Sequence, residues 1–211
     1  NRLSTGLGID RLKKYWTLFG LNEPTSIDLD SERIGFLPDA KEKEKRTGQI
    51  WRIGDTYNVS IGQGDLTMTP LRLLTFYGSI ANNGKMLRPF LVSKILNDKN
   101  KIVKENLSEE ILDYTDFGDT IKEVQKGLRD VVAQPYGTAN LLYDLPYKTA
   151  GKTGSAQIQN NTKTNAFFVG YGPYENPKIT ILVLVEDAKE GSINTLPIAY
   201  DVLKWYYENR L

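Results

Sequence analysis

The densest apolar pattern in the chain lies near its C-terminal end, in three closely spaced runs. Residues 148–158 are followed by the polar triplet Asn160-Asn161-Thr162 and then by Asn-Ala-Phe-Phe-Val-Gly-Tyr at 165–171. Residues 173–177, bracketed by prolines, separate these from Lys-Ile-Thr-Ile-Leu-Val-Leu-Val-Glu at 178–186, the most β-branched run in the sequence. Apolar, β-branched runs bounded by turn residues predict strands. Short turns between successive strands predict an antiparallel meander.

Elsewhere the apolar positions follow helical spacing. Ile9, Leu12, Trp16 and Phe19 form one stripe, closed by Gly20 and expected to be core. A loop from Asn22 and extended pieces at 27–29 and 34–38 follow. Thr69 as N-cap and Pro70 at the first helical position start a second helix, with Leu71, Leu74 and Ala81 on its buried side. Asn82-Asn83-Gly84 ends it. Residues 88–96 and 101–104 flank the polar tip Asn97-Asp98-Lys99-Asn100, which predicts a β-hairpin. Residues 105–119 are acidic and read as irregular. Thr120 and Glu123 fit a capping box for a helix whose apolar face is Ile121, Val124, Leu128 and Val131. Gly191-Ser192-Ile193-Asn194 reads as a loop. A last helix, around 197–208, carries Ile198, Val202 and Trp205, expected to pack on the sheet. The predicted class is therefore α+β, an antiparallel sheet flanked by helices. At 211 residues there is room for one domain or slightly more.

Charge adds little to this picture. Lys+Arg 27 against Asp+Glu 26 leaves a net charge of +1, which signals no nucleic-acid or anionic-membrane partner. The run Lys41-Glu42-Lys43-Glu44-Lys45-Arg46 reads as a solvated loop or short helix in preference to a docking patch. The absences say more. With no histidine, Ser-His-Asp and Cys-His catalysis and histidine-ligated zinc are excluded within this chain. With no cysteine, so are thiol nucleophiles, thiolate metal sites and disulfides. Acyl chemistry is left with Ser–Lys or N-terminal-threonine logic. No stretch of about 18 apolar residues is present to span a membrane, and no signal peptide is evident. Asn1 is no initiator methionine and a helix begins almost at once, so the chain is expected to be a piece of a longer one.

The candidate chemistry sits at the head of the meander, in Ala150-Gly151-Lys152-Thr153-Gly154-Ser155-Ala156-Gln157. Lys152 brings a fixed positive charge, and the hydroxyls of Thr153 and Ser155 can bind a substrate carboxylate. Gly154 lets a ligand approach the backbone closely. An edge strand also offers unpaired N–H groups, one of which can serve as an oxyanion-hole donor. Such residues make an anion- and acyl-binding wall, without a nucleophile. Two other readings compete. A phosphate-binding loop would need glycine where Pro146 stands and a helix after the motif, but strand formers follow. A plain amphipathic surface strand would need nothing more than the alternation.

The flanking residues lengthen the motif. Ala-Gly-Lys-Thr-Gly-Ser-Ala-Gln, then Asn-Ala-Phe-Phe-Val-Gly-Tyr-Gly-Pro, then Asn-Pro-Lys-Ile-Thr-Ile-Leu-Val-Leu-Val-Glu, closely resemble the class B penicillin-binding proteins, which are peptidoglycan D,D-transpeptidases. Ser60-Ile61-Gly62-Gln63-Gly64, the Thr69-Pro70-Leu71-Arg72-Leu73 helix start and Gly137-Thr138-Ala139 occur upstream in the family's order. The similarity extends from about Gly8 to Leu211 and is closest in detail to elongation-type members. It implies a partial penicillin-binding-protein/serine β-lactamase-like transpeptidase fold. By it, Lys152 is catalytic, holding the proton and charge network. Thr153, Gly154 and Ser155 bind the substrate, with the Ser155 N–H as half of the oxyanion hole. Gln63 supports the site. Ser155 stands where threonine is often found, which keeps the hydroxyl and loses a methyl. The implied partners are peptidoglycan stem peptides, β-lactam antibiotics and other cell-wall elongation proteins. The implied location is the periplasmic face of the bacterial inner membrane, and the family chemistry needs no cofactor or metal.

One departure stands out. The family attacks with the serine of a Ser-x-x-Lys motif and uses a second motif, Ser-x-Asn. No serine here has lysine three positions later, and Ser192-Ile193-Asn194 falls on the wrong side of Lys-Thr-Gly. Residues 1–211 are thus expected to be the C-terminal portion of a transpeptidase domain whose nucleophile-bearing part is missing, inactive alone. An exposed sheet edge could then drive self-association. A serine β-lactamase, or a non-catalytic penicillin-sensing module, shares the resemblance.

Overall fold

The computed structural model describes residues 6–158, 163–188 and 190–211, so the polar turn expected at 160–162 lies outside the described residues. In chain order come helices α1 (Gly8–Leu18), α2 (Ala40–Thr47), α3 (Ile53–Ser60) and α4 (Pro70–Ala81). Short strands β1 (Lys85–Leu87), β2 (Lys94–Leu96), β3 (Ile102–Glu105) and β4 (Glu110–Asp113) follow. Then come α5 (Gly118–Ala133), strands β5 (Ala150–Ile158), β6 (Lys163–Gly172) and β7 (Ile179–Val185), and helices α6 (Gly191–Asn194) and α7 (Leu196–Arg210). The class is α+β, as the apolar pattern predicted. The chain divides into two compact units, one running to Leu73 and taking in Arg88–Leu112, the other made of Leu74–Leu87 and Asp113–Leu211.

In the first unit polar contacts fix much of the chain path. Ile9, Leu12 and Trp16 are half-buried and no residue of α1 is fully buried, so the expected core stripe is a partly covered face. The charge run folds as α2, all of it on or near the surface. Asp39 caps this helix, its carboxylate accepting from the Glu42 N–H at 2.8 Å and pairing with Lys13. Helix α3 was not foreseen, because Gly54, Thr56, Asn58 and Ser60 are weak helix formers. Asp55 supports it, accepting from the Arg52 N–H at 2.7 Å and from Lys43 Nζ at 2.6 Å. After it Gly62 and Gly64 take φ +75° and +74°, the tight path their spacing suggested. Arg72, in the first turn of α4, is only 2% exposed, its guanidinium donating to the carbonyls of Glu23 and Pro24. The hairpin forms, with Lys94 opposite Glu105 and an ion pair between them. Its first strand begins at Lys94, well after residue 88, and every residue of both strands is exposed.

The second unit is built on the antiparallel sheet β5-β6-β7, in register Thr153↔Phe168↔Val183. Phe168, Ile181 and Val183 join Val132 of α5, Ala139, Leu142 and Leu145 of the following segment, and Leu196, Ala199 and Leu203 of α7 in one core cluster. Several expectations are corrected here. The stretch 105–119 is not irregular throughout, since it holds β4 and a 3-10 turn at Thr115–Phe117. Helix α5 begins at Gly118, two residues before the anticipated cap, with no side-chain cap; Glu123 instead pairs with Lys126 at 2.6 Å. Its buried positions are Ile121, Leu128 and Val132, while Val124 faces solvent. On α7 the buried stripe differs from the expected Ile198, Val202 and Trp205. Leu196, Ala199 and Leu203 are buried, whereas Ile198, Val202 and Trp205 are exposed. Both stripes are apolar at helical spacing, and the small Ala199 permits the closer approach. Residues Gly191–Asn194 make a single helical turn, not a loop.

Candidate functional site

Strand β5 is an edge of its sheet, so its far side carries no paired strand among the described residues. Along it the side chains alternate: Lys152 and Gly154 on one face, Gly151, Thr153 and Ser155 on the other. Lys152 is exposed, its Nζ donating to the Thr153 carbonyl at 2.8 Å. The four residues predicted as a wall thus follow one another along a sheet edge, with Lys152 on one face and the two hydroxyls on the other.

Two neighbouring segments hold the hydroxyls of that wall. Thr138 Oγ1 lies 2.7 Å from Thr153 Oγ1. Thr138 belongs to the turn after α5, which is itself pinned. The Ala139 N–H donates to the Val131 carbonyl at 3.1 Å, and Asn140 Nδ2 donates to the carbonyls of Val132 and Gln134. On the other side the Gly191 N–H donates to Ser155 Oγ at 3.3 Å. Gly191 rests directly on the sheet backbone, since a β carbon there would lie 2.8 Å from the Gly154 carbonyl oxygen and 2.7 Å from that of Phe167.

Gly154 is a different case. A β carbon there would make only ordinary contact, 3.5 Å from Phe167 Cβ. Packing against side chains does not demand glycine at this position.

Gly-Thr-Ala at 137–139 was legible as a marker in the right order, but its contact with Thr153 was not. Contact across 15 residues depends on how α5 and the segment up to Leu145 fold back onto the sheet. Gly191 gave no signal at all. Gln63 belongs to the first unit, where its N–H donates to the Asn58 carbonyl at 2.9 Å. Ser192-Ile193-Asn194 lies in the turn of α6, with Ser192 Oγ donating to Glu190 and the Asn194 amide oxygen accepting from the Glu190 N–H. Among the described residues no three His, Cys, Asp or Glu side chains converge as metal ligands would.

Comparison with known proteins gives consistent matches. The family model described as the penicillin binding protein transpeptidase domain matches residues 1–204. Peptidoglycan D,D-transpeptidase MrdA of Haemophilus influenzae is 33% identical over 229 residues, covering 100% of this chain and 34% of that protein. Among solved structures, Penicillin-Binding Protein (PBP2) from Helicobacter pylori superposes with a TM-score of 0.81 at 31% identity, over 99% of this chain and 38% of that one. The complex between PBP2 and MreC from the same organism matches with a TM-score of 0.78 at 31% identity, over 97% of this chain and 37% of that one. The chain spans about a third of the length of the curated relatives it matches.

Proposed function

The chain belongs to the penicillin-binding protein transpeptidase family, and on that premise we propose that it forms the C-terminal portion of an elongation-type peptidoglycan D,D-transpeptidase. In the whole protein a serine on the remaining chain attacks the penultimate D-alanine carbonyl of a stem peptide. The tetrahedral intermediate collapses, the terminal D-alanine leaves as a protonated amine, and the acyl group is passed to the amine of a neighbouring stem. β-Lactams acylate the same serine, their ring nitrogen taking the place of the departing amine.

The residues of this chain bind and polarise the substrate. Lys152 sets a positive charge beside the site and stabilises its proton network. The hydroxyls of Thr153 and Ser155 receive the terminal carboxylate, and the Ser155 N–H stabilises the developing oxyanion. The observation that carries this reading is the arrangement on β5: an exposed lysine and two braced hydroxyls along one open sheet edge. The whole protein acts at the periplasmic face of the inner membrane with other elongation proteins. The relative from Helicobacter pylori solved as a complex with MreC supports a protein partner for the whole protein. No helix among the described residues is long and apolar enough to cross a membrane.

The test is labelling with a fluorescent penicillin. The full-length protein is expected to give a stoichiometric, slowly released adduct, and the 211-residue chain none by mass spectrometry. Fast release of the adduct would point instead to a β-lactamase, and a full-length protein that never labels would point to a silent binding module.

A further inference from the structure

We propose that Thr138 is a positioning residue for substrate: its hydroxyl donates to Thr153 and so commits the Thr153 proton to the ligand carboxylate. This rests on the reading of β5 given above and adds a residue to it. A hydroxyl has one proton to donate and lone pairs to accept with, whereas a carboxylate only accepts. Thr153 must therefore donate to a bound carboxylate. Its second contact, the 2.7 Å approach of Thr138 Oγ1, must then be one in which Thr153 accepts and Thr138 donates.

Without a donor on that side, the Thr153 hydroxyl is free to rotate and spend its proton elsewhere. With it, one rotor is fixed before the ligand arrives, and the hydrogen bond to the anion is polarised from behind. The geometry suits such a fixed role. Thr138 sits on a turn tied to the end of α5 through Ala139 and Asn140. A β carbon on the preceding Gly137 would lie 2.1 Å from the Val131 carbonyl oxygen, so the path of this turn leaves no space for a larger residue. Thr138 itself is exposed, and nothing in the core requires its hydroxyl.

The experiment uses the full-length protein and measures second-order acylation by benzylpenicillin and by its methyl ester, which lacks the anionic carboxylate. For T138V, the rate with benzylpenicillin is expected to fall about tenfold, the worth of one neutral hydrogen bond, with little change for the ester. T138S, which restores the hydroxyl, is expected to recover most of the loss. Equal losses on both compounds, or a loss that T138S does not recover, would mean a structural role and overturn the proposal. K152A separates the two levels. If K152A acylates normally, the reading of β5 fails and the inference falls with it; if K152A is crippled while T138V is normal, only the role of Thr138 fails.

Discussion

The ring of Phe168 lies against the backbone of Gly151 across the β5–β6 ladder. A β carbon at Gly151 would sit 2.6 Å from the tip of that ring and 2.7 Å from the Val169 carbonyl oxygen. Gly170, paired with Gly151, is under the same ring: a β carbon there would lie 2.7 Å from the tip of Phe168. Two facing glycines thus form a flat seat for a fully buried aromatic, one residue before Lys152. This contact joins the core cluster to the segment carrying the candidate site.

Gly151→Ala is accordingly expected to destabilise the chain by about 2–3 kcal/mol, through overpacking against a ring that has nowhere to move. Gly154→Ala, where the β carbon meets only ordinary contact, should cost far less stability. Urea unfolding of the two variants compares them directly, and equal midpoints would show that the seat has no energetic weight.

Acid should loosen the first unit before the second. Hydrogen bonds from the Leu91 and Val92 N–H groups hold the Asp28 carboxyl below its ordinary range. Hydrogen bonds from Lys13 and Lys43 do the same for Asp39 and Asp55. Burial pushes the Glu32 carboxyl up, but hydrogen bonds from Thr25 and Ser26 outweigh it and leave it lowered. All four lie in the unit that runs to Leu73. Groups with depressed folded values contribute stability that is fully present above the ordinary carboxylate range and is lost as pH falls through that range and on through the lowered values. In the second unit the Glu175 carboxyl is held low chiefly by its hydrogen bond from Lys148. Hydrogen exchange across that window should show amides of residues 25–60 losing protection before those of β6. Simultaneous loss would contradict this.

How much of this could be read from the chain follows from which contacts are local. The meander was legible, since alternation and β-branching act residue by residue and give β5, β6 and β7 within two residues of their ends. So were the Thr69 cap, whose Oγ1 accepts from the Arg72 N–H at 3.2 Å, and the stop at Asn82-Asn83-Gly84. Arg72 was invisible as a buried group, because its burial depends on the carbonyls of Glu23 and Pro24, nearly 50 residues away. The face of α7 was misread because two apolar stripes compete on one helix, and only the sheet decides between them. For the candidate site, chemistry and resemblance single out Lys152 to Ser155. Their brackets depend on tertiary approach: Thr138 was legible only as part of the Gly-Thr-Ala marker, without its contact to Thr153, and Gly191 left no local signature.

Exposed apolar surface predicts self-association of the isolated chain. Strand β7 is the sheet's other edge among the described residues, and its sequence Ile-Thr-Ile-Leu-Val-Leu-Val has neither charge nor proline to block pairing. Ile198, Val202 and Trp205 add an exposed stripe on α7. Sedimentation velocity of the 211-residue chain is expected to show concentration-dependent association, weakened by Leu184→Lys. A monomer at every concentration would remove the idea.

The most direct test of the central claim compares two lysines four residues apart. Lys152 stands on the open edge of β5, while Lys148 precedes the strand and pairs with Glu175 at 2.5 Å. In the full-length protein, the benzylpenicillin acylation rate of K152A should fall on the order of a hundredfold, with K148A unchanged. Equal rates for K152A and the unsubstituted protein would contradict the account.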